Sequence, residues 1–385
     1  MESARRDADT AERVTPVEIF FDVVFVLTVT QLADLLESHL DWTGVGSTIL
    51  ILGLLWYLYS GYAWLTNHAP PRRPARKLLL FAGMAGFLLT AVAIPDAFTG
   101  SGLLFAIGYL VVVIVHTTLF SRSSAGATVR RFAPYNLGAA LLVLAAGLLS
   151  GPAGYALWAA AIFVQTLLPY LVPGHSWLSA AASFHIVPSH FVERHGLLVI
   201  VALGETVVTI GMGATLDHLT PTTVGAILLA LALPAALWWT YFAEAGAAEA
   251  ALDRADPGPR SRMAARVYSL THFALLLGII ATATGLHATV AHPDAPTGWP
   301  AALALAGGVA LFLVGIADIR RVMRHGRPAS RLVTAALILA TVPIGGHVNA
   351  TLHLVVVIAA VTAMLIVDGD RAGGPTRPVS RAART

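Results

Sequence analysis

The chain has no cysteine, one lysine (Lys77) and charged residues at only 12% of its 385 positions. The first absence excludes disulfides, thiolate metal centres and thiol nucleophiles. Soluble domains usually carry about twice this charged fraction. No G-x-x-x-x-G-K-[ST] phosphate loop occurs, so ATP does not drive whatever the chain does. No G-x-S-x-G elbow occurs either, since Gly174-His175-Ser176 lacks the second glycine. Neither tail has the length of a soluble catalytic domain, and no cofactor motif is found. Residues 1–16 are polar and of mixed charge, with no short apolar core and small-residue cleavage site behind them. The sequence therefore predicts no cleaved signal peptide.

What is present is apolar length. Hydrophobic residues make up 57% of the chain, and the mean hydropathy is +0.75. A run of about 20 apolar residues crosses a hydrocarbon core roughly 30 Å thick. Backbone facing lipid has to satisfy its own polar groups, which makes such runs helices. Apolar windows fall at 17–36, 45–65, 77–95, 102–120, 132–150, 153–172, 195–214, 222–243, 267–289, 299–319, 330–346 and 350–367. The expectation is an all-α, polytopic membrane helix bundle of about twelve transmembrane helices.

Arginine placement tests that count. Basic residues fill the N-terminal tail, the segments between windows two and three, four and five, eight and nine, and ten and eleven, and the C-terminal tail. One more, Arg194, stands just before window seven. The alternate connections, around 37–44, 96–101, 151–152, 215–221, 290–298 and 347–349, hold none. Arginine and lysine are retained on the cytoplasmic side of such proteins. The alternation places both termini in the cytoplasm and leaves no basic surface for nucleic acid.

The halves resemble each other. Val17-Glu18-Ile19-Phe20-Phe21 opens window one as Val192-Glu193-Arg194-His195-Gly196 opens window seven. Leu55-Trp56-Tyr57-Leu58-Tyr59 is matched by Leu237-Trp238-Trp239-Thr240-Tyr241. The predicted organisation is a tail (1–16), a six-helix repeat (17–172), a cytoplasmic connection (173–194), a second parallel six-helix repeat (195–367) and a disordered tail (368–385). Six helices is an even number, so the repeats would be related by an axis along the membrane normal.

Two motifs carry a family resemblance. Glu18-Ile19-Phe20-Phe21-Asp22-Val23-Val24-Phe25-Val26, with Thr30-Gln31-Leu32 after it, resembles the opening signature of the low temperature requirement A (LtrA) family. His190-Phe191-Val192-Glu193-Arg194-His195-Gly196, continuing to Leu203-Gly204-Glu205, resembles its second signature. His195 stands where an aromatic residue is expected. The resemblance implies a multi-pass protein of the bacterial cytoplasmic membrane linked to growth in the cold. It implies no reaction, because that family's name describes a phenotype.

The candidate functional residues are the acids inside apolar windows. A carboxylate in hydrocarbon is expensive unless paired, protonated or facing water, so each is a candidate functional position. The alternatives are Glu18 at the helix N-terminus, Asp22 paired with an arginine and Glu205 a protonated, hydrogen-bonded structural group. Glu18 and Asp22, four apart, share one helix face. Glu205 lies near the middle of window seven among Gly204, Gly211 and Gly213, with no basic residue within reach on its own helix. His190 and Glu193, three apart, share a face at the entry to that window. The run His185, His190, Glu193, His195 has ligand types suited to zinc, but Pro188 interrupts it and no H-E-x-x-H spacing appears. It is read as hydrogen-bonded histidines at the interface. His116 and His272 stand as relay candidates, Asn136, Gln165 and Asn349 as interhelical hydrogen-bonding groups. Trp56, Tyr57, Tyr59, Tyr62 and Trp64, like Trp238, Trp239 and Tyr241, suggest aromatic belts.

The sequence thus predicts a proton- or cation-linked transporter or channel for a small solute, lying in the lipid bilayer. Glu205 is its expected proton acceptor and Asp22 the partner. Two other readings stay open: an intramembrane enzyme on lipid-linked substrate, with metal at the His185–His195 run, and a structural or signalling membrane protein.

Overall fold

Proline starts most of the helices. It stands at the first helical positions of seven of them, where its fixed φ suits the helix and its missing N–H would have had no partner. In the computed structural model, which describes residues 14–71, 73–176, 180–181, 184–213 and 220–372, twelve helices follow one another. They are α1 (Pro16–Ser38), α2 (Trp42–His68), α3 (Pro74–Ala93), α4 (Gly102–Phe120), α5 (Gly126–Ala146) and α6 (Pro152–Leu171). The second half comprises α7 (Pro188–Gly213), α8 (Pro221–Arg254), α9 (Pro257–Ala291), α10 (Trp299–Val322), α11 (Ala329–His347) and α12 (Ala350–Ala372). No strand occurs among the described residues.

Ten of these are long and apolar enough to cross a membrane; α5 and α7, which carry more polar residues, complete the bundle. The protein is a multi-pass helical membrane protein, and each apolar window falls on one helix. Three boundaries differ. Helix α7 begins about two turns before its apolar window, so Arg194 lies inside a helix and not in a connection. Helices α8 and α9 run on to Arg254 and from Pro257, which leaves almost no loop between them. Helix α12 runs on to Ala372, and only 373–385 of the expected C-terminal tail lies outside the described residues, as does most of the N-terminal tail (1–13).

Local chemistry sets the ends. At α1, Thr15 and Glu18 form a capping box, each satisfying the other's backbone N–H. At α2, Asp41 accepts from Thr43 N at 2.8 Å and Gly44 N at 2.9 Å. Interhelical contact without a hydrophobic drive needs small residues. Gly86 on α3 faces the Gly108 carbonyl on α4, and a Cβ at either would lie 2.9 or 2.8 Å from the other's oxygen. A second close approach of this kind joins Gly278 on α9 and Gly308 on α10, with distances of 2.7 and 2.6 Å.

Helix α1 sits inside the bundle, packed against α2, α3, α7 and α9. Its inner face carries Phe21 and Phe25, which meet Tyr59, Tyr62 and Phe87 with ring centroids 4.3–5.8 Å apart. Four of the five expected belt residues of α2 are core instead: Trp56, Tyr59, Tyr62 and Trp64 are buried, and Tyr57 is partly so. Their indoles and phenols find partners inside, as with Trp56 Nε1 on Ser269 O (2.6 Å) and Trp64 Nε1 on Ser269 Oγ (3.0 Å). Of the second group, Trp238 and Trp239 do face outward, whereas Tyr241 is buried.

Candidate functional site

Glu18 and Asp22 lie one turn apart on the inner face of α1, and Arg194 lies two turns into α7. The two helices enter the bundle from the same end, where the C-terminus of α2 also arrives. All three charged side chains are fully buried. Arg194 spans the acids: Nη1 donates to Glu18 Oε1 at 3.0 Å and Nη2 to Asp22 Oδ1 at 3.3 Å. Nη1 also donates to Thr66 Oγ1 of α2. The planar fork of arginine suits this bridging of two carboxylates.

The remaining partners come from the helix ends. Glu18 Oε2 accepts from Thr15 N (2.9 Å) and Thr15 Oγ1 (2.7 Å), and faces His190 Nε2 at 3.3 Å. Asn67 holds the other side of that ring, with Nδ2 3.0 Å from His190 Nδ1, while also accepting from Val187 N at 3.1 Å. Tyr59 donates to Asp22 Oδ1 at 2.6 Å. Among the described residues Asp22 Oδ2 and Arg194 Nε have no hydrogen-bond partner. The guanidinium lies 5.9 Å from the Phe21 centroid and 5.8 Å from that of Tyr59, and so rests on aromatic faces.

The charges in this enclosure do not cancel when the carboxyls are ionised and His190 is neutral. Two carboxylates then face one guanidinium, in a place where an uncompensated charge costs several kcal/mol. One further positive charge balances the set, supplied by a proton on His190 or on a carboxyl, or by a cation.

Of the five residues singled out from the sequence, the fold joins Glu18, Asp22 and His190. Glu193 is exposed beside them, its Oε2 accepting from Val14 N at 3.3 Å just ahead of α1, and it does not join the buried set. Glu205 is half-buried on α7, eleven residues beyond Arg194, which a helical rise converts to about 16 Å along the axis. No hydrogen bond to its carboxylate is found among the described residues. The expected pairing of Glu205 with Asp22 is therefore not what the fold builds, because Asp22 sits at the entry of the bundle and engages Arg194 and Tyr59.

The histidine run diverges as well. His190 faces Glu18, whereas the backbone N–H of His185 donates to His68 Nδ1 at 3.1 Å. His195 is buried beside His272, ring centroids 5.2 Å apart, with Nδ1 2.8 Å from Phe191 O. Among the described residues no three His, Asp or Glu side chains gather in a metal-binding group. Of the relay candidates, His272 Nε2 lies 2.8 Å from the Tyr241 hydroxyl.

A match to the model of "Bacterial low temperature requirement A protein (LtrA)" covers residues 13–367, and includes every residue of this cluster. The chain belongs to the LtrA family. It is also similar to "Uncharacterized protein RA0937" of Rhizobium meliloti (strain 1021), at 29% identity over 334 residues, covering 84% of this chain and 81% of that one. The two segments that resemble LtrA signatures are the ones that meet in space: the first supplies Glu18 and Asp22, the second His190 and Arg194.

A second buried charge cluster closes the same end of the bundle in the other half. Glu244 of α8 accepts from Arg320 Nε (2.8 Å) and Arg331 Nη2 (3.2 Å), and its Oε2 lies 2.6 Å from His325 Nε2. Asp368 of α12 takes Arg320 Nη1 at 2.8 Å and also Arg331 Nη1. Sequence reasoning missed it, since Glu244, Arg320, Arg331 and Asp368 all stand at window edges. It missed Arg194, Tyr59 and Thr66 for a similar reason, each reading as a loop, belt or spacer residue. The one available signal was that Glu18 and Asp22 need a buried cation, and Arg194 is the basic residue that stands outside the arginine-rich segments.

Proposed function

We propose that this LtrA-family protein is a proton- or cation-linked transporter or channel of the bacterial cytoplasmic membrane, with both termini in the cytoplasm. The observation that carries the reading is that two carboxyls, Glu18 and Asp22, are fully buried around one guanidinium, Arg194, with His190 as the remaining ionisable neighbour. Such an enclosure takes up one proton or small cation and gives up a bond when it does. Protonation of Asp22 weakens its hold on Arg194, and that bond ties α1, in the first half, to α7, in the second. Sites between helices of two halves are typical of secondary transporters. Glu205, farther along α7, is a second acid on the same helix and a separate position on the proposed path.

The test is ion flux into liposomes that hold the purified protein, with a pH dye inside and an imposed gradient and voltage. Flux above that of empty liposomes is expected, abolished by Asp22→Asn and reduced by Glu205→Gln, both variants inserting normally. Flux unchanged by Asp22→Asn would refute the site. No flux of protons, sodium or potassium under any gradient or voltage would refute the linkage.

A further inference from the structure

A cavity of about 580 Å³ lies between α2, α4, α5, α6 and α9, apart from the charge cluster. Its volume is that of a ligand pocket. No Asp, Glu, Lys or Arg lines it, so a charged occupant would find no counter-ion. Three of its polar lining residues are buried. Among the described residues Asn136 Oδ1 and Gln165 Oε1 have no hydrogen-bond partner, and the ring of the third, His116, turns toward the backbone of Gly61. These residues are 4%, 0% and 7% exposed. Gln165 is held in place by its other end, Nε2 donating to Tyr109 Oη at 2.6 Å. Buried acceptors without donors are expensive, and an occupant that brings donors relieves them.

The mouth of the cavity lies on the outer face of the bundle. Leu167 and Tyr170 on α6 and Leu270 on α9 line it and are 55%, 44% and 46% exposed. In a membrane this face meets acyl chains, not water. Both mouth helices are irregular there. Residues Phe163–Leu167 of α6 and Ala265–Thr271 of α9 are π-helical. Such bulges recur at functional sites because they redirect side chains that a regular helix would stagger. In α6 the cause is local, since Pro169 has no N–H to give, and Leu168 N reaches back to Phe163 O.

We propose that this cavity binds an uncharged, single-chain lipid with a hydroxylated head, admitted sideways from the bilayer between α6 and α9. The hydroxyls donate to Asn136 and Gln165, His116 completes the polar end, and the chain fills the apolar remainder. This does not depend on ion linkage. The two sites do touch, because Trp56 lines the cavity and stacks on Tyr59 (centroids 5.3 Å apart), the residue that donates to Asp22.

The test is equilibrium binding of radiolabelled monoolein, a neutral lipid with two hydroxyl donors, to the purified full-length protein. Methyl oleate, with the same chain and no donor, serves as competitor. One monoolein per chain is expected, with methyl oleate at least tenfold weaker. Gln165→Leu and Asn136→Leu should each weaken monoolein about five- to tenfold, the worth of one hydrogen bond. Leu167→Trp, at the exposed mouth where it cannot disturb the core, should block entry. Absence of saturable binding, equal affinity for methyl oleate, or unchanged affinity in both polar variants would each overturn the proposal.

Discussion

Arg194→Leu tests the buried cluster at its centre. The side chain is fully buried and is the cation bonded to both Glu18, at 3.0 Å, and Asp22, at 3.3 Å. Leucine keeps much of the volume beside Phe21 and Tyr59 but leaves two carboxyls within a turn of each other, with His190 facing only one. Breaking one partner from a buried ion pair costs about 3–5 kcal/mol, because the remaining charge has lost its compensation. Relief comes from removing the acids as well. The triple variant Arg194→Leu, Glu18→Gln, Asp22→Asn should return to within about 1–2 kcal/mol of the parent, since neutral replacements of a buried pair are often tolerated. Arg194→Lys should fall between, as one ammonium cannot reproduce a forked donor. The assay is denaturant unfolding in micelles followed by tryptophan fluorescence, read as a double-mutant-type cycle. A single variant as stable as the parent, or a triple variant no better than the single, would refute the reasoning.

Three further outcomes follow from the packing and the composition. Gly308→Ala puts a Cβ 2.5 Å from Thr282 N and 2.6 Å from Gly278 O, both backbone, and should destabilise the fold by about 1–3 kcal/mol or more. Gly307→Ala next to it meets nothing closer than Leu303 Cδ1 at 3.9 Å and should be neutral or up to about 1 kcal/mol stabilising in the same unfolding assay. Tyr59→Phe removes the 2.6 Å bond to Asp22 and should cost about 1.5–3 kcal/mol, the range for a hydrogen bond to a charged group, measured by the same titration. Because the chain has no cysteine, Ser124→Cys in the α4–α5 connection and Ala295→Cys in the α9–α10 connection each give a single label site. An impermeant maleimide applied to whole cells should label Ala295→Cys alone, and labelling of Ser124→Cys instead would invert the proposed orientation.

The sequence alone determined that this is a helical bundle, how many helices it has and where each lies. Apolar length and arginine alternation are properties of one segment at a time, and lipid leaves a long apolar segment little choice but to be a helix. The two signature segments were also visible in it, as was the need of Glu18 and Asp22 for a partner. Which partner was settled only by tertiary structure. Arg194 stands 172 positions after Asp22, at the edge of an apolar window, and whether it faces water or two carboxylates depends on α7 entering beside α1. The aromatic residues of α2 show the same dependence: spacing marks them as amphipathic, but the neighbours on either side decide whether they meet headgroups or Phe21 and Phe25. Glu205 shows the converse. One carboxyl in an apolar run looks the same whichever way it points, and the packing left it half-buried and about 16 Å beyond the cluster that holds Asp22. The cavity itself was not legible, although His116, Asn136 and Gln165 on its wall stood out as polar residues in apolar windows, because a space among α2, α4, α5, α6 and α9 belongs to no single helix and exists only once they pack.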